Sequence, residues 1–393
     1  MMCLRNSVAA LCAVGLVFYL VLAYGMPSAV FAKSQESPAP YVSSYAAILT
    51  EWHTGTILYQ KNAFRRMHPA SLTKMMTALL ALEQGLLEGE VTISYEASMQ
   101  PGSSMYLKEG QVLTLEDLLY GLMLNSGNDA AWAIAEHVGG EVEDFVAMMN
   151  LRAKEIGAIN TRYRNPHGIT DPNHYTTAFD LSLIARTCLK HPYFNHLVAT
   201  KEKDVIDAEK GVKTSLANTN RLLWMYLGAD GVKTGTTESA GQCLVASATR
   251  DDMRLLAVVL DSGDRWADAA ALLEYGFTNF RLARLAKAGE TLLSLPTRGA
   301  LEKSVPVICA RDLLACVPRH AKDLALGIDL PKAVKAPCPS GKVLGRATIH
   351  LGHSVVGTTE LVAGDCVNPR TPAGVLVRLA SLLVKKLVSA GVL

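Results

Sequence analysis

Apolar positions along the chain follow two periods, and the change from one to the other divides it. Short apolar runs at Tyr45–Leu49 and Thr56–Tyr59 flank His53-Thr54-Gly55, the pattern of a β-hairpin. The run Ser71–Leu80 is apolar and helix-forming, which predicts a buried helix starting near Ser71. Thr114, with Asp117 three residues on, predicts a capped helix through Met123 that ends at Asn125–Asn128. A further helix is expected from about Asp129 to Val138, stopped by Gly139-Gly140, and another opens at Thr177–Asp180 and continues through Arg186. From Gly231 the period becomes that of strands. Leu244–Ser247 and Leu255–Leu260 read as neighbours joined near Asp251-Asp252, with the second also paired to the strand carrying Lys233; Trp266–Tyr275 is again helical. Strands at both ends around a helical middle predict an α/β (α+β) sandwich: an antiparallel sheet flanked by helices, with a helical insertion.

Two further segments differ in texture. Residues 283–370 carry short β-rich runs punctuated by Gly and Pro, such as Arg346–Leu351, and predict a small all-β domain after a domain spanning 45–282. In the tail, 371–393, the polar residues Arg378, Ser381, Lys385 and Ser389 recur every three or four positions among Leu376, Leu379, Leu383, Leu387 and Val388. That is a basic amphipathic helix, too charged to span a bilayer and suited to lie at its surface. At the other end, Arg5, the apolar segment Val8–Tyr24 and the small residues before Ala32 predict an export signal over 1–32, followed by a polar linker, 33–44.

Composition narrows the chemistry. The 393 residues are 50% hydrophobic and 19% charged with a net charge of +2, enough for a large core and without a like-charge block for nucleic acid. Beyond the signal lie six cysteines. Cys188 and Cys243 sit in apolar runs and read as core; Cys309, Cys316, Cys338 and Cys366 have no zinc-site spacing, although an oxidising exterior would let them pair. No metal and no cofactor are expected.

Three short motifs stand in a telling order. Ser71-x-x-Lys74 puts a hydroxyl and an amine on one helix face, with Cβ atoms about 5–6 Å apart, where a neutral amine can take the serine proton. Ser126-Gly127-Asn128 places a hydroxyl and an amide at a helix end, and Lys233-Thr234-Gly235 supplies a cation, a hydroxyl and a glycine that allows close backbone approach. Each alone is common; together they are the set used by β-lactamases and penicillin-binding proteins.

With Pro69–Ala78, Leu124–Ala131, Asn165–Gly168, His174–Ala178 and Asp230–Thr237 around these motifs, the chain resembles the low-molecular-mass penicillin-binding proteins, the serine-type D-alanyl-D-alanine carboxypeptidases. The likeness runs from about Tyr41 to Phe280 and more weakly beyond, through Gly341–Gly345 into the tail, which members of the family use as a membrane anchor. It implies the penicillin-binding/β-lactamase-like transpeptidase fold and removal of the terminal D-alanine from peptidoglycan stem pentapeptides. In that reading Ser71 is the nucleophile, Lys74 its base and Ser126 a proton relay to the leaving amine. Asn128 holds the substrate amide, and the backbone N–H groups of Ser71 and Thr236 form an oxyanion hole beside Gly235. Lys233, Thr234 and Arg265 hold the terminal carboxylate, and His167 has two readings, a direct role in the site or a loop histidine that shapes its rim. β-Lactams act as inhibitors, and the enzyme works on the outer face of the cytoplasmic membrane. Alternatives of the same fold are a D,D-endopeptidase, a β-lactamase and a non-catalytic peptidoglycan-binding scaffold. A β-lactamase would need a deacylating carboxylate, and neither Glu155 nor Glu238 lies in a recognisable loop motif for one.

Overall fold

In the computed structural model the described residues are 38–389, apart from 208–210 and 212; the expected export signal and residues 390–393 lie outside them. A five-stranded antiparallel sheet forms the centre. Its strands are β1 (Ala46–Glu51), β2 (Ile57–Lys61), β3 (Ala229–Thr237), β4 (Gly241–Arg250) and β5 (Met253–Ser262), in the spatial order β2-β1-β5-β4-β3. The first and last segments of the region thus pair at the middle of the sheet, β1 against β5. The expected hairpin and the β4–β5 pair are present. The expected pairing of β5 with the Lys233 strand is not: β4 lies between them.

Strand alternation explains the layers, because successive side chains point to opposite faces. Ala46, Ile48, Val245, Leu256, Val258 and Leu260 face a large helical core. Ala47, Leu49, Leu244, Ala246, Leu255, Ala257 and Val259 face the opposite side, covered by a single long helix. The main helices of the helical layer are α1 (Lys74–Gln84), α2 (Leu115–Met123), α3 (Asn128–Gly139), α4 (Val142–Ile156) and α5 (Ala178–Cys188), with shorter ones at Tyr95–Ser98 and Pro192–Ala199; the helix on the other face is α6 (Arg265–Asn279). Caps set several starts. Thr114 Oγ1 accepts from Asp117 N (3.1 Å), Thr177 Oγ1 from Asp180 N (2.9 Å), and Asp264 Oδ1 from Trp266 N and Ala267 N (3.1 Å each). The last cap moves the start of α6 to Arg265, one residue earlier than its apolar pattern suggests.

After Asn279 the chain enters β6 (Phe280–Ala286), which pairs with β9 (Leu313–Pro318). The remaining strands are β7 (Thr291–Arg298), β8 (Ser304–Cys309), β10 (Leu324–Asp329), β11 (Val334–Lys335), β12 (Val343–Leu351) and β13 (Ser354–Ala363). They form a sheet in the order β10-β12-β13-β8-β7-β11, antiparallel except for the short β7–β11 pair. Val307, Leu313, Ala315, Val317, Ala347, Ile349 and Leu361 make its own core, so an all-β domain follows the sandwich. Cys309, Cys316 and Cys338 are buried free thiols and Cys366 is an exposed one, so the pairing allowed by the compartment does not occur. Cys338 exchanges both backbone hydrogen bonds with Val367, and neighbours on a strand face opposite ways, which turns Cys366 away from Cys338.

The tail is helical, α7 (Pro372–Ser389). Leu376, Leu379, Leu382 and Leu383 are exposed, and Arg378 Nε lies 3.7 Å from Glu302 Oε1. Among the described residues no helix is long and apolar enough to cross a membrane.

Candidate active site

The site forms where α1, α3 and the edge strand β3 meet. Ser71 sits on a 3-10 turn, Ala70–Thr73, that runs into α1 at Lys74. Lys74 is wholly buried, and its Nζ lies 3.1 Å from Ser71 Oγ, 2.6 Å from Asn128 Oδ1 and 2.8 Å from the carbonyl oxygen of His167. Two of these partners, an amide oxygen and a backbone carbonyl, can only accept. A neutral amine has two N–H bonds to give them, which leaves its lone pair directed at the third partner, the Ser71 hydroxyl. Burial and then the neighbouring Lys233 hold Lys74 well below the ordinary lysine range, and the nearby Asp129 carboxylate opposes them. The position of the amine and its protonation therefore favour the same chemistry: removal of the serine proton.

The second motif is a loop between α2 and α3. Ser126 is nearly buried with a left-handed backbone (φ 62°), and Asn128, two residues on, begins α3 with its amide oxygen on Lys74. Asn128 Nδ2 donates to Pro101 O at 2.5 Å, so this side chain holds the lysine as well as facing the site. Asn125 Oδ1 accepts from Ala217 N, which ties the motif to the hairpin of Glu202–Ile206 and Lys213–Ala217.

The third motif lies on β3. A Cβ on Gly235 would come 3.1 Å from Ser71 N, so a side chain there would crowd the nucleophile's backbone, and glycine lets the strand lie this close without a shift. Lys233 is buried, and burial followed by the Arg265 charge pulls it down to about 7. Thr234 Oγ1 lies 2.8 Å from Thr219 Oγ1. Arg265 Nη1 donates to Gly235 O (2.8 Å), Thr236 Oγ1 (2.8 Å) and Cys243 O (3.2 Å), while its Nε is buried without a partner. The guanidinium thus reaches the third motif across β4, at the end of the sheet where β3 turns into β4, and one of its nitrogens is already committed to strand oxygens.

Several residues were not legible as site residues. The Asp129 carboxylate is buried at the start of α3. His174 Nδ1 accepts from Arg164 N (3.3 Å), so Nε2 carries the hydrogen that faces Thr73 Oγ1 at 2.9 Å; burial drops its pKa to about 4. His167 is buried and stacks on Trp132, and it serves Lys74 through its carbonyl rather than standing at a rim. Burial pushes its ring down to about 3, so it is neutral. Histidine rings kept neutral beside a lysine add no positive charge of their own. No group of three or more metal-ligating side chains among the described residues is placed to hold an ion. Two cavities, of about 390 and 530 Å³, open where the sheet region meets the β domain, and neither is lined by a residue of the three motifs.

A sheet-edge lysine, a helix-start serine with a buried lysine, and a serine-glycine-asparagine loop brought together around one amine define a serine acyltransferase of the penicillin-recognising fold. Comparison with known proteins narrows this. A profile of the D-alanyl-D-alanine carboxypeptidases matches residues 32–264, and one of the penicillin-binding protein 5 C-terminal domain matches residues 280–368. The chain is 34% identical over 330 residues to D-alanyl-D-alanine carboxypeptidase DacF of Bacillus subtilis, covering 81% of this chain and 85% of that one. It is 33% identical over 354 residues to DacC of Escherichia coli, covering 86% and 87%. The crystal structure of penicillin-binding protein 5 from Haemophilus influenzae aligns with a TM-score of 0.74 at 32% identity, covering 84% of this chain and 98% of that one. The chain belongs to the D-alanyl-D-alanine carboxypeptidase family, whose members are hydrolases that act on D-Ala-D-Ala peptides of peptidoglycan and bind β-lactams. Its homologues work in the periplasm or cell-wall space.

Proposed function

We propose that this chain removes the terminal D-alanine from peptidoglycan stem pentapeptides through an acyl-enzyme on Ser71. The contact set of Lys74 carries this reading: two pure acceptors leave its lone pair for the serine. Lys74 takes the Ser71 proton as Oγ attacks the penultimate carbonyl carbon. The negative charge that develops on the carbonyl oxygen is met by the N–H groups of Ser71 and Thr236, which the close approach at Gly235 supports. Ser126 passes the proton to the leaving D-alanine nitrogen, and water then hydrolyses the ester. Asn128 spans Lys74 and the substrate amide. Lys233, Thr234 and the uncommitted part of Arg265 hold the terminal carboxylate, which arrives as the negative partner that this cationic strand edge lacks.

The exported enzyme works beside the membrane. Exposed leucines along α7 fit the acyl boundary and its cations fit anionic headgroups, so the helix lies in the interface on the outer face of the cytoplasmic membrane. Truncation after Asn368 is expected to give a soluble, active enzyme; a truncated chain that still fractionates with membranes would place the anchor elsewhere.

Mass spectrometry of a purified muropeptide pentapeptide after incubation with the enzyme tests the reaction itself. Loss of one D-alanine is expected. Cleavage of a cross-linked dimer in preference to the pentapeptide would make the chain an endopeptidase, and rapid turnover of penicillin would make it a β-lactamase.

A further inference from the structure

Asp129, which follows the second motif, is wholly buried, and its carboxylate gathers hydrogen bonds from a separate loop. Oδ2 accepts from Ser104 Oγ at 2.5 Å and from Leu107 N at 3.1 Å; both oxygens lie 3.1 Å from Met105 N, and Oδ1 accepts from Ala130 N at 2.9 Å. Ser104 Oγ in turn accepts from Tyr106 N (2.7 Å), so residues 104–107 wrap the carboxylate. The preceding part of the same loop grips Asn128. Ser103 O accepts from Asn128 N (2.7 Å), and Pro101 O accepts from Asn128 Nδ2 (2.5 Å). Between them Gly102 has φ +91°, and a Cβ there would stand 2.8 Å from Asn128 Nδ2, so the loop passes as close to that amide as a backbone can. The hydrogen bond at Nδ2 also fixes which way the amide points, and it turns Oδ1 onto Lys74 Nζ at 2.6 Å.

We propose that Asp129 is a positioning residue of the active site: it clamps the 101–107 loop onto Asn128, and through Asn128 it sets the Lys74 amine at Ser71. An apolar residue at 129 would leave three loop donors and Ala130 N without their acceptor in a dry interior, and the loop would release Asn128. The same carboxylate is the anion whose charge acts on Lys74. The other titratable groups around that amine are Lys233 on β3 and His167 and His174 on the segments packed against α1, and both histidines are neutral. Burial and then Lys233 destabilise the ammonium and Asp129 stabilises it, so the Asp129 charge raises the pH at which Lys74 becomes a base.

This inference rests on Lys74 acting as the base for Ser71, and its test separates the two. The rate of acylation by a fluorescent penicillin is measured against pH for the full chain. An acid limb in the wild-type enzyme, with the label on Ser71, supports the base; its absence defeats that reading before any variant is made. Asp129→Asn keeps the shape, removes the charge and reverses one donor. It is expected to acylate about 10–100-fold more slowly, with the affinity of the initial complex nearly unchanged, and its acid limb is expected to move to lower pH because the ammonium has lost its partner. Ser104→Ala, which keeps the charge and loses one loop bond, is expected to slow acylation about fivefold with the acid limb in its wild-type place. A slower Asp129→Asn whose acid limb does not move would mean that the residue serves the fold alone, and would overturn the inference. A Ser104→Ala enzyme acylating at the wild-type rate would also overturn it, whether or not Asp129→Asn folds.

Discussion

The sheet region and the β domain are both built on antiparallel strands, and they bury different things. Up to Asn279 the interior holds two dozen buried polar or charged residues, among them Lys74, Lys233, Asp129, His167 and His174. From Phe280 onward the buried polar residues among the described ones are Thr359 and Asn368, and the cores are otherwise Val, Leu, Ile, Ala and Cys. A buried polar group costs stability unless it is paired, so a region that accumulates them has been shaped for something other than stability. A few of them form one chain at the nucleophile: Ser71 Oγ and Asn128 Oδ1 both meet Lys74 Nζ, and Asn128 is followed by the buried Asp129. The β domain has no such chain. It closes its own apolar core and contributes Cys316 to the core beneath α6.

The contrast is sharp enough to break by substitution. In the sheet region, Lys74→Arg should leave the protein folded and cost about 10²–10⁴-fold in acylation, the usual size of a general-base contribution, because guanidinium does not give up its proton. Stopped-flow acylation beside a thermal melt measures both; substantial acylation by the arginine variant would remove Lys74 from the mechanism. The β domain should respond in the opposite sense. Ile349 is fully buried in its core, and Ile349→Ala should cost about 2–5 kcal/mol in unfolding free energy while acylation below the melting temperature stays at the wild-type rate. A fall in acylation at full foldedness would mean that the domain takes part in the chemistry.

Arg265 stands between these extremes, since it serves strand oxygens and is placed for substrate. Arg265→Ala should cost about 1.5–3 kcal/mol in kcat/KM on D-Ala-D-Ala peptides and far less on a peptide with an amidated terminus. Equal losses on the two would assign it to the β3–β4 turn alone. The smallest expected effect is a pH dependence. Lys233, pulled to about 7, gives up its proton as pH rises, so kcat/KM on free-carboxylate peptides should fall above about 7. Amidated peptides should lack that alkaline limb, and its presence there would trace it to another group.

Much of this was readable along the chain, because the readable features are local. Helix caps at Thr114 and Thr177 need one hydroxyl and a residue three positions on. The three motifs are contiguous, and their order carries the inference that they converge. What stayed hidden depends on neighbours distant in sequence. Strand periodicity shows which face of β5 is apolar but not which strands flank it, so it puts β5 beside the Lys233 strand where the structure puts β4. Asp129 reads as an ordinary acid in a first helical turn, favourable with the helix dipole, until the 101–107 loop is seen to fold over it. His167 reads as a loop residue because its service to Lys74 comes from a backbone carbonyl, which no side-chain pattern encodes. Cys338 and Cys366 have a compartment that permits bonding and a strand register that turns their side chains apart.

The central claim is that one serine, Ser71, takes the acyl group. Peptide mapping by mass spectrometry after reaction with penicillin, on the wild-type chain and on folded Ser71→Ala, tests it most directly. The account predicts a single penicilloyl adduct on the peptide containing Ser71 and none on the variant. An adduct at Ser126 or elsewhere in the wild-type chain, or covalent labelling that persists in Ser71→Ala, would contradict it.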